Sequence, residues 1–486
     1  MSPITVASPT VEVVPPLAAS NGHSKPHPEV LPRIEQLRHF FATHITKDVD
    51  FRIAQLKKLR QAIEKHERAL LDAVKADFNK HEFEAYATEI ALVLKELDTA
   101  ISQTARWAQP KKVGTALFFF KASSYIISEP YGTVLVIAPW NYPIQLSLLP
   151  IVGAIAAGNC VALKLSEWAP ATSAVVAKLI AEALDPRHVA VFEGEVSVAQ
   201  ELLHHKFDYI FFTGSTAVGK HVYQAAAKHL TPVTLELGGK SPCIVTPDAD
   251  IALSAKRIMW GKLVNAGQTC IAPDYILAHS SIKDALIAAC KKAAHAMYGK
   301  NAAQSPYYAR IISDRHFNRL EKLVHRSGEI AFGGESIAAE RYLSPTILDG
   351  VQPDDPIMQE EIFGPILPIL TYDSLDQAIA FVNERPKPLA LYAFTRSQRT
   401  ANRILRETSS GGACVNDTLM HIGNDNMPFG GVGESGMGGY HGKYSFDYFS
   451  HQKSVMDRSL LIDPPVRYAP YRISLSVAKA LLKRLM

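Results

Sequence analysis

The chain has 486 residues, of which 47% are hydrophobic and 20% charged, with a formal net charge of +4. That is an ordinary globular composition, long enough for two or three domains at roughly 100–200 residues each, and so small a charge gives no footprint for a nucleic-acid partner. Five scattered cysteines (Cys160, Cys243, Cys270, Cys290, Cys414) without a CxxC pair argue against a disulfide framework or a zinc site and for a reducing, cytoplasmic compartment.

In chain order, residues 1–30 are rich in Pro, Ser, Ala and Val and read as a disordered leader. They carry neither a charged segment before an apolar core nor an Arg-rich amphipathic pattern, so no cleaved targeting peptide is expected. From Pro32 to about Ala108 the pattern is helical: Leu56, Leu59, Ile63 and Leu70 recur at helix spacing, as do Ile90, Leu94, Leu97 and Ile101. The segment Ala116–Ile127 reads as a hairpin whose apolar side chains need cover, either from a late strand at Phe446–Ser450 or from another subunit. Tyr131–Leu163 contains no charge, but Pro139, Pro143 and Pro150 interrupt it. A spanning helix needs about 20 uninterrupted apolar residues, so a strand, a turn and a buried helix are expected instead.

From Gly132 onward short apolar runs alternate with helical segments. Thr133–Ala138, Cys160–Leu163, Val189–Phe192 and Tyr209–Thr213 read as strands, with helices at Leu146–Ala157, Thr172–Ala183 and Val218–His229. After Lys240 the rhythm resumes with Pro242–Thr246, Ile251–Val264 and Tyr275–Ala278, and it runs to about Gly431. Continuous apolar strands separated by helices imply parallel sheets covered on both faces. The fold expected is therefore α/β with two such units.

Five short motifs carry chemistry. In Asn265–Cys270 (NAGQTC) a Cys stands beside Gly and Thr in a polar turn, where a thiol can attack a carbonyl; taken alone, a buried structural Cys is the commoner reading. In Thr234–Lys240 (TLELGGK), Glu236 lies between leucines, a setting that raises a carboxyl pKa toward general-base use, unless it is an edge residue reaching solvent. In Pro139–Pro143 (PWNYP), Asn141 follows a strand, where α/β folds place ligands. Its amide can donate to an oxyanion beside the Cys270 N–H or simply shape a turn. Phe212–Gly219 (FTGSTAVG) reads as a strand, a glycine turn and a helix N-terminus able to take a pyrophosphate, although it has GxTxxG where the dinucleotide fingerprint has GxGxxG. Lys164 and Glu167 at the end of VALKLSE offer ribose contacts, and Glu360–Pro365 (EEIFGP) offers Glu361 and Phe363 to a nicotinamide and its ribose. No HExxH or clustered His/Cys set suggests a metal.

These motifs, together with PFGGVGESGMGGYHGKYSFDYFSH and NDTLMH at Asn416–His421, stand in the order found in the aldehyde dehydrogenase superfamily. From about Arg33 to its end the chain resembles class 3, the group containing the fatty aldehyde dehydrogenases. The resemblance implies a Rossmann-like cofactor domain (31–111 and 132–235), a catalytic α/β domain (236–432), a β bridging element for oligomerisation (112–131 and 445–457) and a tail (458–486). It makes Cys270 the nucleophile, Glu236 the general base and Asn141 the oxyanion donor. NAD or NADP is implied as cofactor, held by Trp140, Lys164, Glu167, Gly214, Ser215, Val218, Gly238, Glu361 and Phe363. Leu165 departs from the family's usual KPSE, which leaves the choice between NAD and NADP open.

The implied reaction is oxidation of medium or long aliphatic or aromatic aldehydes to acids through a Cys270 thioester, in a homodimer. A CoA-acylating dehydrogenase is the near alternative, against which Glu236 speaks; a cysteine hydrolase without redox chemistry and a non-catalytic scaffold are more distant ones. Arg472–Met486 is too short and cationic to span a membrane. It reads as an amphipathic helix that packs on a partner subunit or touches a membrane surface weakly.

Overall fold

A computed structural model describes residues 27–463 and 465–485, so the leader, up to residue 26, lies outside the described residues. The helical N-terminal part begins at Val30–Ala42 and continues as Val49–Phe78. Asp48 starts the second of these by accepting the Phe51 N–H at 3.0 Å, and Asn79 ends it with a left-handed φ of 53°. The Leu56, Leu59, Ile63 and Leu70 stripe is fully buried. A short helix Glu82–Ala85 then runs through a π-helical turn, Tyr86–Ile90, into Ala91–Trp107.

The first sheet has the spatial order Gly436–Met437, Val233–Glu236, Tyr209–Thr213, Thr133–Ile137, Cys160–Lys164, Val189–Phe192. All neighbours are parallel except the first pair. Every residue of the strands Thr133–Ile137, Cys160–Lys164 and Tyr209–Thr213 is buried, because helices cover both faces. The charge-free stretch resolves into strand, turn and the wholly buried helix Gln145–Ala157. Among the described residues no helix is long and apolar enough to cross a membrane.

The second sheet runs Glu329–Phe332, Thr346–Asp349, Ile366–Tyr372, Tyr275–His279, Pro242–Val245, Ala390–Phe394, Gly412–Val415, parallel except for its first strand. The first sheet's carboxyl ends and the second sheet's amino ends supply the loops described below.

A third, antiparallel sheet joins Lys111–Val113, Ala122–Pro130 and Ser450–Arg458. It corrects two expectations. The hairpin's first arm lies upstream of Ala116, and Leu117–Phe119 is a 3-10 turn whose Leu117 and Phe118 remain exposed. The segment expected as a strand at Phe446–Ser450 is mostly helix, Lys443–Tyr448, and the strand starts only at Ser450. The cause is distant in sequence: the buried Glu96 carboxylate accepts the Gly442 N–H at 2.8 and 3.0 Å and so opens a helix there. Phe446 and Phe449 turn inward, against Trp107 at 5.7 Å and Phe211 at 5.8 Å. The terminal helix Leu475–Leu485 rests on the chain's own Leu117–Phe119 turn.

Asp77 ties the helical part to a helix that covers the first sheet. Helix Pro170–Ala183 has an alanine at its N-cap, which makes no capping bond. Asp77, from the other helix, accepts the Thr172 N–H at 2.9 Å, the Thr172 hydroxyl at 2.7 Å and the Ala171 N–H at 3.2 Å. Asp77→Ala leaves these donors buried without partners and is expected to lower the unfolding free energy by about 1–3 kcal/mol. Chemical denaturation checks it; an unchanged midpoint would show that water replaces the carboxylate.

Candidate active site

Four strand ends of the first sheet open toward the second. After Thr133–Ile137 come Trp140 and Asn141; Lys164 ends its strand, Glu236 ends another, and Gly214 and Ser215 follow Thr213. Glu236 is only 2% exposed, which excludes the reading of an edge residue reaching solvent. Asn141 is likewise buried, and its Nδ2 donates to the Gln268 carbonyl at 3.2 Å.

Cys270 arrives from the second sheet on a turn of unusual backbone. Asn265 and Ala266 have φ of 53° and 52°, and Gly267 follows at 76°. A Cβ on Gly267 would sit 2.3 Å from the Gly364 carbonyl, so glycine is required there. Side chains fix the rest. Gln268 Nε2 donates to the carbonyls of Asn265 at 2.9 Å and Arg310 at 3.0 Å, and Gln268 Oε1 accepts the Ile312 N–H at 2.9 Å. Asn265 Nδ2 donates to the Asn141 carbonyl at 2.7 Å and the Gln268 carbonyl at 3.2 Å. The Tyr142 hydroxyl and Thr269 Oγ1 lie 2.6 Å apart. Asn141 and Cys270, 129 positions apart in the sequence, thus stand on loops tied to each other directly.

Three acids crowd the same place. Burial pushes the Glu236 carboxyl well above its usual range, and among the described residues neither of its oxygens has a hydrogen-bond partner. Burial, reinforced by Asp274, pushes Glu361 up to about 8. Cys270 keeps part of its surface open while protein surrounds its sulfur. Burial raises this thiol strongly, and the negative charges of Glu361 and then Glu236 add to the shift. Glu361 lies so close that a Cβ on Gly238 would meet its Oε2 at 1.9 Å. Gly238 is therefore needed for the approach of the carboxylate.

The remaining predicted residues line the open side. Ser215 caps helix Thr216–Ala227 by accepting the Val218 N–H at 3.4 Å, and Ser215 and Val218 are exposed. Gly219 lets that helix lie on the sheet, since a Cβ would meet Leu237 at 2.6 Å. Lys164, buried, donates to the Leu165 carbonyl at 2.6 Å and to Glu167 at 3.1 Å. Trp140 and Phe363 meet edge to face at 5.3 Å. These features fit a dinucleotide: an accessible helix N-terminus for a pyrophosphate, a Lys–Glu pair for ribose hydroxyls, and an aromatic wall beside the acids. Sequence reasoning missed His316, whose ring lies 5.0 Å from Trp140 and 6.2 Å from Trp168; nothing near it in the sequence marks it. Cys160, Cys243 and Cys290 are buried, as expected of structural cysteines, whereas Cys414 is partly exposed, with its sulfur 3.2 Å from His421 Nδ1.

Comparison with known proteins places this geometry. The model of the aldehyde dehydrogenase family matches residues 34–455. The chain is 52% identical to 4,4'-diaponeurosporen-aldehyde dehydrogenase of Staphylococcus aureus, over 91% of this chain and 97% of that protein. It is 47% identical to the dimeric NADP-preferring aldehyde dehydrogenase of Rattus norvegicus, over 90% and 97%. A solved structure of Staphylococcus aureus AldH in a substrate-bound state superposes with a TM-score of 0.92 at 50% identity, covering 93% of this chain and 99% of that one.

The electrostatics make one prediction at Cys270. Its alkylation by iodoacetamide, read by mass spectrometry of the Cys270 peptide, should still be climbing above about pH 8.5, the value of a free thiol. Glu361→Gln, by removing the larger of the two carboxylate effects on the thiol, should displace the curve to lower pH. A wild-type rate that levels off below that pH would contradict the account.

Proposed function

The chain belongs to the aldehyde dehydrogenase family, and we propose that it oxidises aldehydes with Cys270 as nucleophile, Asn141 as oxyanion donor and Glu236 as general base. The activity itself, NAD(P)-dependent aldehyde oxidation, is that of the family. What supports the assignment of roles is one observation: a partly exposed cysteine, an amide donor and a buried carboxyl without a partner among the described residues converge where the loops of two sheets meet.

In this reading the Cys270 thiol gives up its proton to solvent, and its Sγ–C bond forms as the carbonyl π pair moves onto oxygen. That oxygen is received by the second Asn141 amide hydrogen and the Cys270 N–H. Bound NAD(P) supplies the acceptor for the hydride that leaves the adduct. Cys270 then carries the acyl group as a thioester. Glu236 takes a proton from water while the water oxygen attacks the thioester carbon, and the Cys270 sulfur leaves with the electron pair of its bond. A carboxyl shielded from water and raised in pKa is a stronger base than an exposed one, which suits this step. Lys164, Glu167, Gly214, Ser215 and Val218 would hold the adenosine half of the cofactor. Trp140, Gly238, Glu361 and Phe363 would shape the nicotinamide side.

Medium or long aliphatic or aromatic aldehydes are the proposed substrates; the Staphylococcus relative is named for 4,4'-diaponeurosporen-aldehyde. A homodimer is the proposed assembly, consistent with a rat relative named dimeric and with the exposed Val113, Leu117, Phe118 and Phe120 at the third sheet. The tail is proposed to pack there in preference to a weak membrane-surface contact, since its helix already rests on that turn.

The test follows NAD(P)H formation over a chain-length series of aldehydes. Cys270→Ser should abolish it. Asn141→Ala should lower kcat about 10²–10³-fold. Glu236→Gln should give one rapid turnover of NAD(P)H and then hydrolysis slowed by about 10²–10⁴-fold. A wild type that forms no reduced cofactor but cleaves esters would replace this reading with the thiol-hydrolase one.

A further inference from the structure

The helical segment Glu82–Ile90 reaches the active site from behind, through two carboxylates that the reaction does not consume. Glu84 Oε1 accepts the backbone N–H of Asn265 at 2.8 Å. Glu89 Oε2 accepts the backbone N–H of Ile144 at 2.9 Å, while its other oxygen pairs with Lys80 at 3.1 Å. Lys80 in turn lies over the Tyr142 ring at 4.3 Å. One segment therefore holds the first residue of the Cys270 turn and the end of the Asn141 turn. Between the two acids begins the π turn Tyr86–Ile90, whose i to i+5 hydrogen bonding changes the rotation between them from that of an α-helix.

Asn265 is where this grip matters most. Its φ of 53° is a left-handed conformation that costs a non-glycine residue energy, and Ala266 repeats it. Its side chain is already committed to the Asn141 and Gln268 carbonyls. Its carbonyl accepts from Gln268 within the turn, whereas its N–H is held from outside the turn by Glu84.

We propose that Glu84 is a positioning residue for acyl transfer, setting the separation of Cys270 from the Asn141 amide by holding the Asn265 N–H. The proposal rests on the roles given to Cys270 and Asn141 above. It asks of Glu84 a correctly placed acceptor oxygen and no charge, since the ion pair in this cluster is carried by Lys80 and Glu89. It predicts that reach matters more than ionisation.

The experiment compares Glu84→Gln, Glu84→Asp and Glu84→Ala in the full enzyme, reading the rate of the NAD(P)H burst, the later hydrolysis rate and cofactor affinity by fluorescence titration. Glu84→Gln keeps the oxygen in place and should hold the burst rate within about threefold. Glu84→Asp keeps the charge but falls one methylene short, and Glu84→Ala lacks the group. Both should slow the burst about 10–100-fold, as misplaced reacting groups do, with cofactor affinity unchanged. Should Glu84→Ala fail to fold, the Gln and Asp pair decides alone. A Glu84→Asp enzyme as fast as wild type, or a Glu84→Gln enzyme as slow as Glu84→Asp, would overturn the inference. So would losses shared equally by the burst and cofactor binding. Cys270→Ala, run beside them, separates the two levels: a burst surviving there overturns the site reading itself, whereas a burst lost there but untouched in every Glu84 variant overturns only the role of Glu84.

Discussion

The side chain of Asn265 spans the gap between two separately wound sheets, donating to the Asn141 carbonyl on one side and the Gln268 carbonyl on the other. Apolar residues of both sheets, Val134 and Ile244 among them, belong to one continuous buried cluster. The proposed nucleophile and the proposed oxyanion donor belong to different sheets, so their distance is set by whatever crosses between them. A hydrogen bond to a carbonyl is directional, with a narrow range of lengths. A few such bonds fix relative position more tightly than apolar packing, which tolerates sliding. Gln268 uses its amide hydrogens and its oxygen in the same way, extending the link to Arg310 and Ile312.

The acids in this gap constrain one another. Cys270, Glu236 and Glu361 all have their ionised forms disfavoured first by burial, and the thiol is shifted further by the two carboxylates. Ionisable groups this close share their charge states, and a proton lost by one makes the next harder to remove. At neutral pH the arrangement therefore favours few negative charges at a time. That suits a two-stage reaction in which a thiolate is needed first and a carboxylate later. Among the described residues Glu236 has no partner that would stabilise its charge, which keeps its affinity for a proton high.

How much of this could be read in advance followed the range of the interactions involved. The βα rhythm is local, and its strands and helices appear close to where periodicity put them. Asn141, Glu236 and Cys270 sit in short motifs whose chemistry is visible within six residues. The helix at Lys443–Tyr448 was not visible, because the carboxylate that opens it belongs to Glu96, and aromatic residues in a short run look like a strand until a distant partner is known. Glu84 was invisible for the same reason. In a helical stretch among Glu82, Glu89 and Glu96 it resembles any surface acid, and its bond partner lies 181 positions away. His316 acquires meaning only from the tryptophans that the fold brings to it.

The turn before Cys270 shows why such distant contacts are required. Two consecutive non-glycine residues in the left-handed region cost roughly 1–2 kcal/mol each, and no local hydrogen-bond pattern of a helix or sheet offsets this. Net contributions of buried hydrogen bonds run at about 1 kcal/mol each. The bonds to Asn265 and Gln268 from Glu84, Asn141, Arg310 and Ile312 are therefore of the size needed to hold the turn in place. The geometry of Cys270 is thus a property of the assembled molecule, with its strain offset by residues from three different parts of the chain. The hexapeptide that contains the thiol names the chemistry but does not, by itself, hold the shape.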